Sequence, residues 1–97
     1  MRESNVKSYL FQRVKEHGGS YRNVQWIGRS HCPDTRIMLP WICAWVETKR
    51  PGKDARAGQA REHERMRKYG EVVEVLNTKE KVDRWIAKTA RAAGWGI

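Results

Sequence analysis

The chain has little cysteine, no long apolar run and a shortage of acid, and each deficit removes a class of protein. Cys32 and Cys43 are the only cysteines among 97 residues. Neither joins His31 or His63 at the short paired spacing that a zinc site requires. Two thiols in a reducing compartment do not make a disulfide scaffold either, so both are read as ordinary packing residues. No apolar run approaches the roughly 18–20 residues that a bilayer demands. The first residues are polar and charged, unlike a signal peptide, so no membrane partner and a cytoplasmic location are expected. Repeats, a reader helix and a zinc finger are also missing, which argues against sequence-specific recognition.

Acid is outnumbered by base. Asp and Glu total 11 against 20 Lys and Arg, for a net charge of +9 and a pI near 10.1. So large an excess on a small body favours a polyanionic partner, and nucleic acid is the expected one. Basicity alone reads no bases, because phosphate contacts carry no sequence information. With 39% hydrophobic and 32% charged residues, the composition is globular, and residues 1–97 are read as a single domain with one modest core.

Periodicity predicts the elements. From Glu3 to His17, Val6, Leu10 and Val14 recur at helical spacing, and Gly18-Gly19 ends the helix. Tyr21 to Trp26 reads as a strand and Gly28 to Cys32 as a polar turn. Thr35–Leu39 and Ile42–Val46 are two further strands joined through Pro40-Trp41. Arg50 to Asp54 is a basic loop. A second helix is expected from about Ala55 to Tyr69, with Gln59, His63 and Met66 along one side, and Val72–Leu76 as a fourth strand. Asn77, with Glu80 three residues on, resembles a capping box opening a third helix, whose inward face is Val82, Trp85, Ile86 and Thr89. The crossover from third to fourth strand through a helix suits a parallel pair, so the class is α/β with the order α-β-β-β-α-β-α. Of five tryptophans, Trp45 and Trp85 are expected in the core. Trp26, Trp41 and Trp95 flank turns or the terminus, where they suit a DNA wedge or a subunit interface, with the interface preferred for Trp41.

The chemistry concentrates at Pro33-Asp34 and Glu47-Thr48-Lys49. Successive strand side chains alternate faces, so Glu47 and Lys49 share a face. If the two strands pair, Asp34 meets Glu47 across the sheet with an ammonium alongside. Two hard anionic oxygen donors suit Mg²⁺ or Mn²⁺. Glu3 falls on the inward stripe of the first helix. It is either a frayed-end charge favoured by the helix N-terminus or a third acidic member of the cluster. Gln59 is likewise ambiguous by itself, although a buried amide needs a partner.

Several motifs in order resemble the virus-type replication-repair nuclease (VRR-NUC) family of the PD-(D/E)xK nuclease superfamily, over roughly residues 3 to 86. They are Glu3-Ser4-Asn5-Val6 opening a helix, Gly18-Gly19, Cys32-Pro33-Asp34, Val46-Glu47-Thr48-Lys49-Arg50-Pro51-Gly52, and Gln59 starting the next helix. His31-Cys32 departs from the pattern, in which small residues precede the Pro-Asp, and bears on loop shape. The resemblance implies a central mixed sheet of about four strands flanked by about three helices. It implies that Asp34, Glu47 and the Thr48 main-chain carbonyl bind Mg²⁺ or Mn²⁺, with Glu3 binding through water or a second ion. Lys49 would place the attacking water and Gln59 would orient Lys49 or the scissile phosphate. The implied reaction is hydrolysis of DNA phosphodiesters by a metal-activated water. The small stand-alone members point further, to a homodimeric endonuclease for branched DNA of the Holliday-junction-resolvase kind, in phage-type recombination, repair or replication. Arg22, Arg29, Arg50, Lys53, Arg56 and Arg61 are the candidates for gripping DNA. The alternative is a non-catalytic basic nucleic-acid-binding module whose carboxylates are structural.

Overall fold

The computed structural model describes residues 2–96, with the side chains of residues 3 and 4 outside the described set. The elements are α1 (Glu3–Glu16), β1 (Ser20–Asn23), β2 (Thr35–Leu39), β3 (Ile42–Thr48), α2 (Ala57–Lys68), β4 (Val73–Leu76) and α3 (Lys79–Ala92). One four-stranded sheet runs in the order β1-β2-β3-β4. β1, β2 and β3 pair antiparallel, and β3 pairs with β4 in parallel. The mixed sheet with three helices in the expected order is therefore present, and α2 makes the crossover that parallel pairing requires.

Alternation along the strands sorts the residues between the two faces. Thr35, Ile37 and Leu39 on β2, with Ala44, Val46 and Thr48 on β3, are buried. Ile37, Leu39, Ala44 and Val46 form one apolar cluster with Val6, Leu10 and Val14 of α1 and Val82, Trp85 and Ile86 of α3. The expected stripes of both helices thus close the core on one side of the sheet. Arg36, Met38, Trp45 and Glu47 occupy the other face, where Arg36 lies over the Trp45 ring at 5.0 Å. Val73 and Val75 of β4 stand level with Trp45 and Glu47. The expected inward side of α2 holds, with His63 and Met66 buried, and Glu62 joins them.

Four boundaries differ from the sequence reading, each for a local reason. β1 stops at Asn23 because Trp26 leaves the ladder, its Nε1–H donating to the Pro33 carbonyl at 2.7 Å. β3 runs on through Thr48, held by the Lys49 N–H donating to the Leu76 carbonyl at 3.0 Å. α2 begins at Ala57, after Asp54 Oδ1 has accepted the Ala55 N–H at 2.8 Å. Finally, Thr78 rather than Asn77 caps α3: its hydroxyl accepts the Lys81 N–H at 3.0 Å. Asn77 instead donates to the Lys53 carbonyl at 2.6 Å and ties down the basic loop. Trp41 is half-buried, donating Nε1–H to Thr89 Oγ1 at 2.9 Å, with its ring 5.5 Å from that of Trp95. Among the described residues no helix is long and apolar enough to cross a membrane.

Candidate active site

The antiparallel register of β2 and β3 matches Thr35 with Val46. Asp34 and Glu47 are the next residues at that end of β2 and β3. Glu47 belongs to the Trp45 side of the sheet, away from the apolar cluster, whereas Asp34 precedes β2 and its carboxylate lies near Lys7 of α1. Their surroundings differ. Glu47 is 8% exposed, and its Oε2 lies 3.9 Å from the Lys49 ammonium. Asp34 stands at the open end of β2 with its side chain 60% exposed and Lys7 Nζ of α1 at 4.0 Å. The Thr35 hydroxyl donates to Asp34 Oδ1 at 3.2 Å. Thr48 is buried on the opposite face, in register with Leu76.

Gln59 sits in the first turn of α2, where its Oε1 accepts the Arg56 N–H at 3.0 Å. This satisfies one end of the helix and fixes the amide beside the β3–α2 loop. Four residues on, His63 is 1% exposed and its Nε2 has no hydrogen-bond partner among the described residues. Burial, then the cations Arg67 and Lys49, hold its pKa below the usual histidine value. A neutral imidazole is therefore kept on the helix face that also carries Gln59.

Beyond Lys49 the surface opens into a cavity of about 500 Å³ lined by Lys49, Arg50, Lys53, Asp54 and Arg56. Three of the six residues expected to grip DNA are thus gathered beside the Lys49 ammonium. The other three lie elsewhere. Arg22, on the sheet-edge strand β1, donates to Ser20 Oγ at 2.9 Å and to the Tyr21 carbonyl at 2.6 Å. Arg61 lines a separate shallow depression on α2 with Ala60, Glu64, Arg65 and Lys68. Arg29 is bound to Glu62, which sequence reasoning missed. Its Nε and Nη2 donate to the two carboxylate oxygens of Glu62 at 3.1 and 3.0 Å. Arg65 Nε adds a third bond at 2.9 Å. Arg29's hydrogen bonding is the main reason the Glu62 carboxyl is pulled down to about 2. The sequence signals for Glu62 were its place three residues after Gln59 and three before Arg65; its partner in a distant loop left none.

Among the described residues no three His, Cys, Asp or Glu side chains converge as a metal cluster. Asp34 and Glu47 supply two carboxylates, and the Glu3 side chain lies outside the described residues. One carboxylate just before β2 and one near the end of β3 are hard oxygen donors of the kind that Mg²⁺ or Mn²⁺ takes.

Asp34 just before β2 and Glu47-Thr48-Lys49 at the end of the adjoining β3, on a mixed sheet with this helix order, make up the framework of the PD-(D/E)xK nuclease class. The comparisons narrow it. A solved chain titled "VRR_NUC domain" superposes with a TM-score of 0.80 at 36% identity, covering 88% of this chain and 94% of its own. The phage protein named "Putative nuclease p44", from Acyrthosiphon pisum secondary endosymbiont phage 1, is 34% identical over 82 residues, spanning 82% of this chain and 87% of the relative. No protein-family profile matches. The chain belongs to the virus-type replication-repair nuclease family.

Proposed function

We propose that residues 1–97 form a single nuclease domain, a Mg²⁺- or Mn²⁺-dependent endodeoxyribonuclease that hydrolyses phosphodiester bonds of branched DNA in the manner of a Holliday-junction resolvase. It acts as a homodimer in the cytoplasm. The observation that carries this reading is the pairing of Thr35 with Val46, which leaves Asp34 and Glu47 as the next residues at that end of β2 and β3, with the Lys49 ammonium 3.9 Å from the Glu47 carboxylate.

Asp34, Glu47 and the Thr48 carbonyl would hold the cation, with Glu3 as an outer acid. When bound, such an ion lowers the pKa of water and stabilises charge on the departing oxygen. Lys49 orients the attacking water and neutralises charge building on the phosphate. With Gln59 Oε1 occupied by the Arg56 N–H, its Nε2 is the half of the amide that serves a phosphate oxygen. Water oxygen bonds to phosphorus in line as the bond to O3′ breaks, leaving a 5′-phosphate and a 3′-hydroxyl that takes up the proton. The cationic cavity beside Lys49 offsets the repulsion that two carboxylates exert on the incoming phosphate.

One observation favours the non-catalytic binding module instead: Asp34 is exposed and pairs with Lys7 at 4.0 Å, as a structural surface charge does. Incubation with four-way junction DNA, with and without Mg²⁺, separates the two. Metal-dependent products that vanish in Asp34→Ala, Glu47→Ala and Lys49→Ala, with binding retained, support the enzyme. Salt-sensitive binding without any product supports the module. A monomer by light scattering at micromolar concentration removes the homodimer and leaves the chemistry standing.

A further inference from the structure

Residues 24–34 run outside regular secondary structure and end on Asp34. The base of this segment is closed on itself. The Val24 N–H donates to the Asp34 carbonyl at 2.8 Å, and Trp26 both donates to Pro33 and packs 5.0 Å from the Trp45 ring. Its middle is fastened to α2 instead. Arg29 forks onto Glu62, Cys32 Sγ lies 3.7 Å from Glu62 Oε2, and His31 packs its ring where a Cβ on Gly58 would come within 3.0 Å. His31 reaches that place in a left-handed conformation, φ 66°, which few side chains adopt. The His31-Cys32 departure from the family motif therefore has a structural counterpart.

Satisfying Glu62 does not by itself call for Arg29, because Arg65 on the next turn already bonds the same carboxylate. A side chain from 33 residues away adds two parallel bonds, which fix distance and angle together. They join the segment that ends on Asp34 to the helix that carries Gln59.

We infer that the Arg29–Glu62 pair is a positioning brace that sets Asp34 against the α2 side of the site and so determines how tightly Asp34 and Glu47 together hold a divalent cation. The inference rests on the metal-dependent reading above. Neither residue touches the reacting atoms, and Arg29 serves the cation site rather than the DNA backbone.

The test is calorimetric titration of MnCl₂ into the full chain without DNA. Wild-type protein, Arg29→Met, Arg29→Lys, Glu62→Gln and the Arg29→Met/Glu62→Gln double variant are compared, with Asp34→Asn as the control that loses the binding heat. Each brace variant is expected to weaken Mn²⁺ binding about tenfold, the scale found when the groups supporting a ligand are removed. Arg29→Lys keeps the charge but not the fork, so it should weaken binding too. The double variant should be no weaker than the worse single, since both remove one interaction. Arg29 is more than half exposed, so its variants fold even if Glu62→Gln does not. Variants that melt at lower temperature yet bind Mn²⁺ like wild type make the pair merely structural and overturn the inference. So does an Arg29→Met that loses only DNA affinity. A wild-type chain that takes up no Mn²⁺ overturns the metal-dependent reading itself, and the brace with it.

Discussion

The Lys49 ammonium lies 3.9 Å from the Glu47 carboxylate, and both side chains are more than four-fifths buried. Charges in so sheltered a setting act on one another and on a ligand more strongly than they would in bulk water, which suits Lys49 to neutralising a phosphate. Replacing Lys49 with alanine is expected to lower the single-turnover rate on junction DNA about 10²–10³-fold, the usual loss when a group that stabilises transition-state charge is removed. Arginine should restore little, because its planar fork does not place charge where an ammonium does. A Lys49→Ala rate equal to wild type in a quench-flow assay would remove Lys49 from the chemistry.

The cavity lined by Arg50, Lys53 and Arg56 predicts graded electrostatics. Alanine at each should reduce the slope of log affinity against log salt by about one for every phosphate the side chain no longer neutralises. Arg61→Ala, on the separate depression of α2, should change that slope less. Fluorescence anisotropy of labelled junction DNA in Ca²⁺ at several salt concentrations measures both.

Stability should fall in acid in two windows. The folded Glu62 carboxyl sits near 2 against an ordinary 4.5, so the unfolded chain binds its proton first. Its contribution is complete above pH 4.5 and is lost as pH drops towards 2. Burial lowers the folded His63 pKa below 6.5, so here too the unfolded chain takes the proton first, and stability is lost as pH falls below 6.5. Urea midpoints between pH 7.5 and 5.5 should decline for wild type and flatten in His63→Leu, while Glu62→Gln should flatten the lower window.

Gly19 illustrates a close approach that only hydrogen can make. A Cβ there would stand 2.5 Å from the Met38 carbonyl oxygen and 2.9 Å from Val14 Cγ1. Gly19→Ala is expected to destabilise the fold by about 2 kcal/mol, lowering Tm by about 10 °C for a domain of this size. Circular-dichroism melts check it, and an unchanged Tm would mean that β2 yields to the extra carbon.

The stripes Val6-Leu10-Val14 and Val82-Trp85-Ile86, the alternation along β2 and β3, and the strand–helix–strand crossover were legible because each is a periodic signal carried by neighbours in the chain. They determined the helices, the mixed sheet and the shared face of Glu47 and Lys49. Element ends were less legible. Thr78 caps α3 in place of Asn77 because Asn77 is drawn to Lys53, a partner 24 residues away.

Placement across the chain belonged to the tertiary structure. Arg29 has the same charge as Arg50 and looked equally suited to DNA, yet it is committed to Glu62, while Arg50 lines the cavity beside Lys49. Composition assigns a charge its sign, and local pattern assigns it a face. Whether a guanidinium meets a carboxylate or faces solvent depends on how a loop docks onto a helix far along the chain, and the docked geometry exists only once the sheet and α2 have packed.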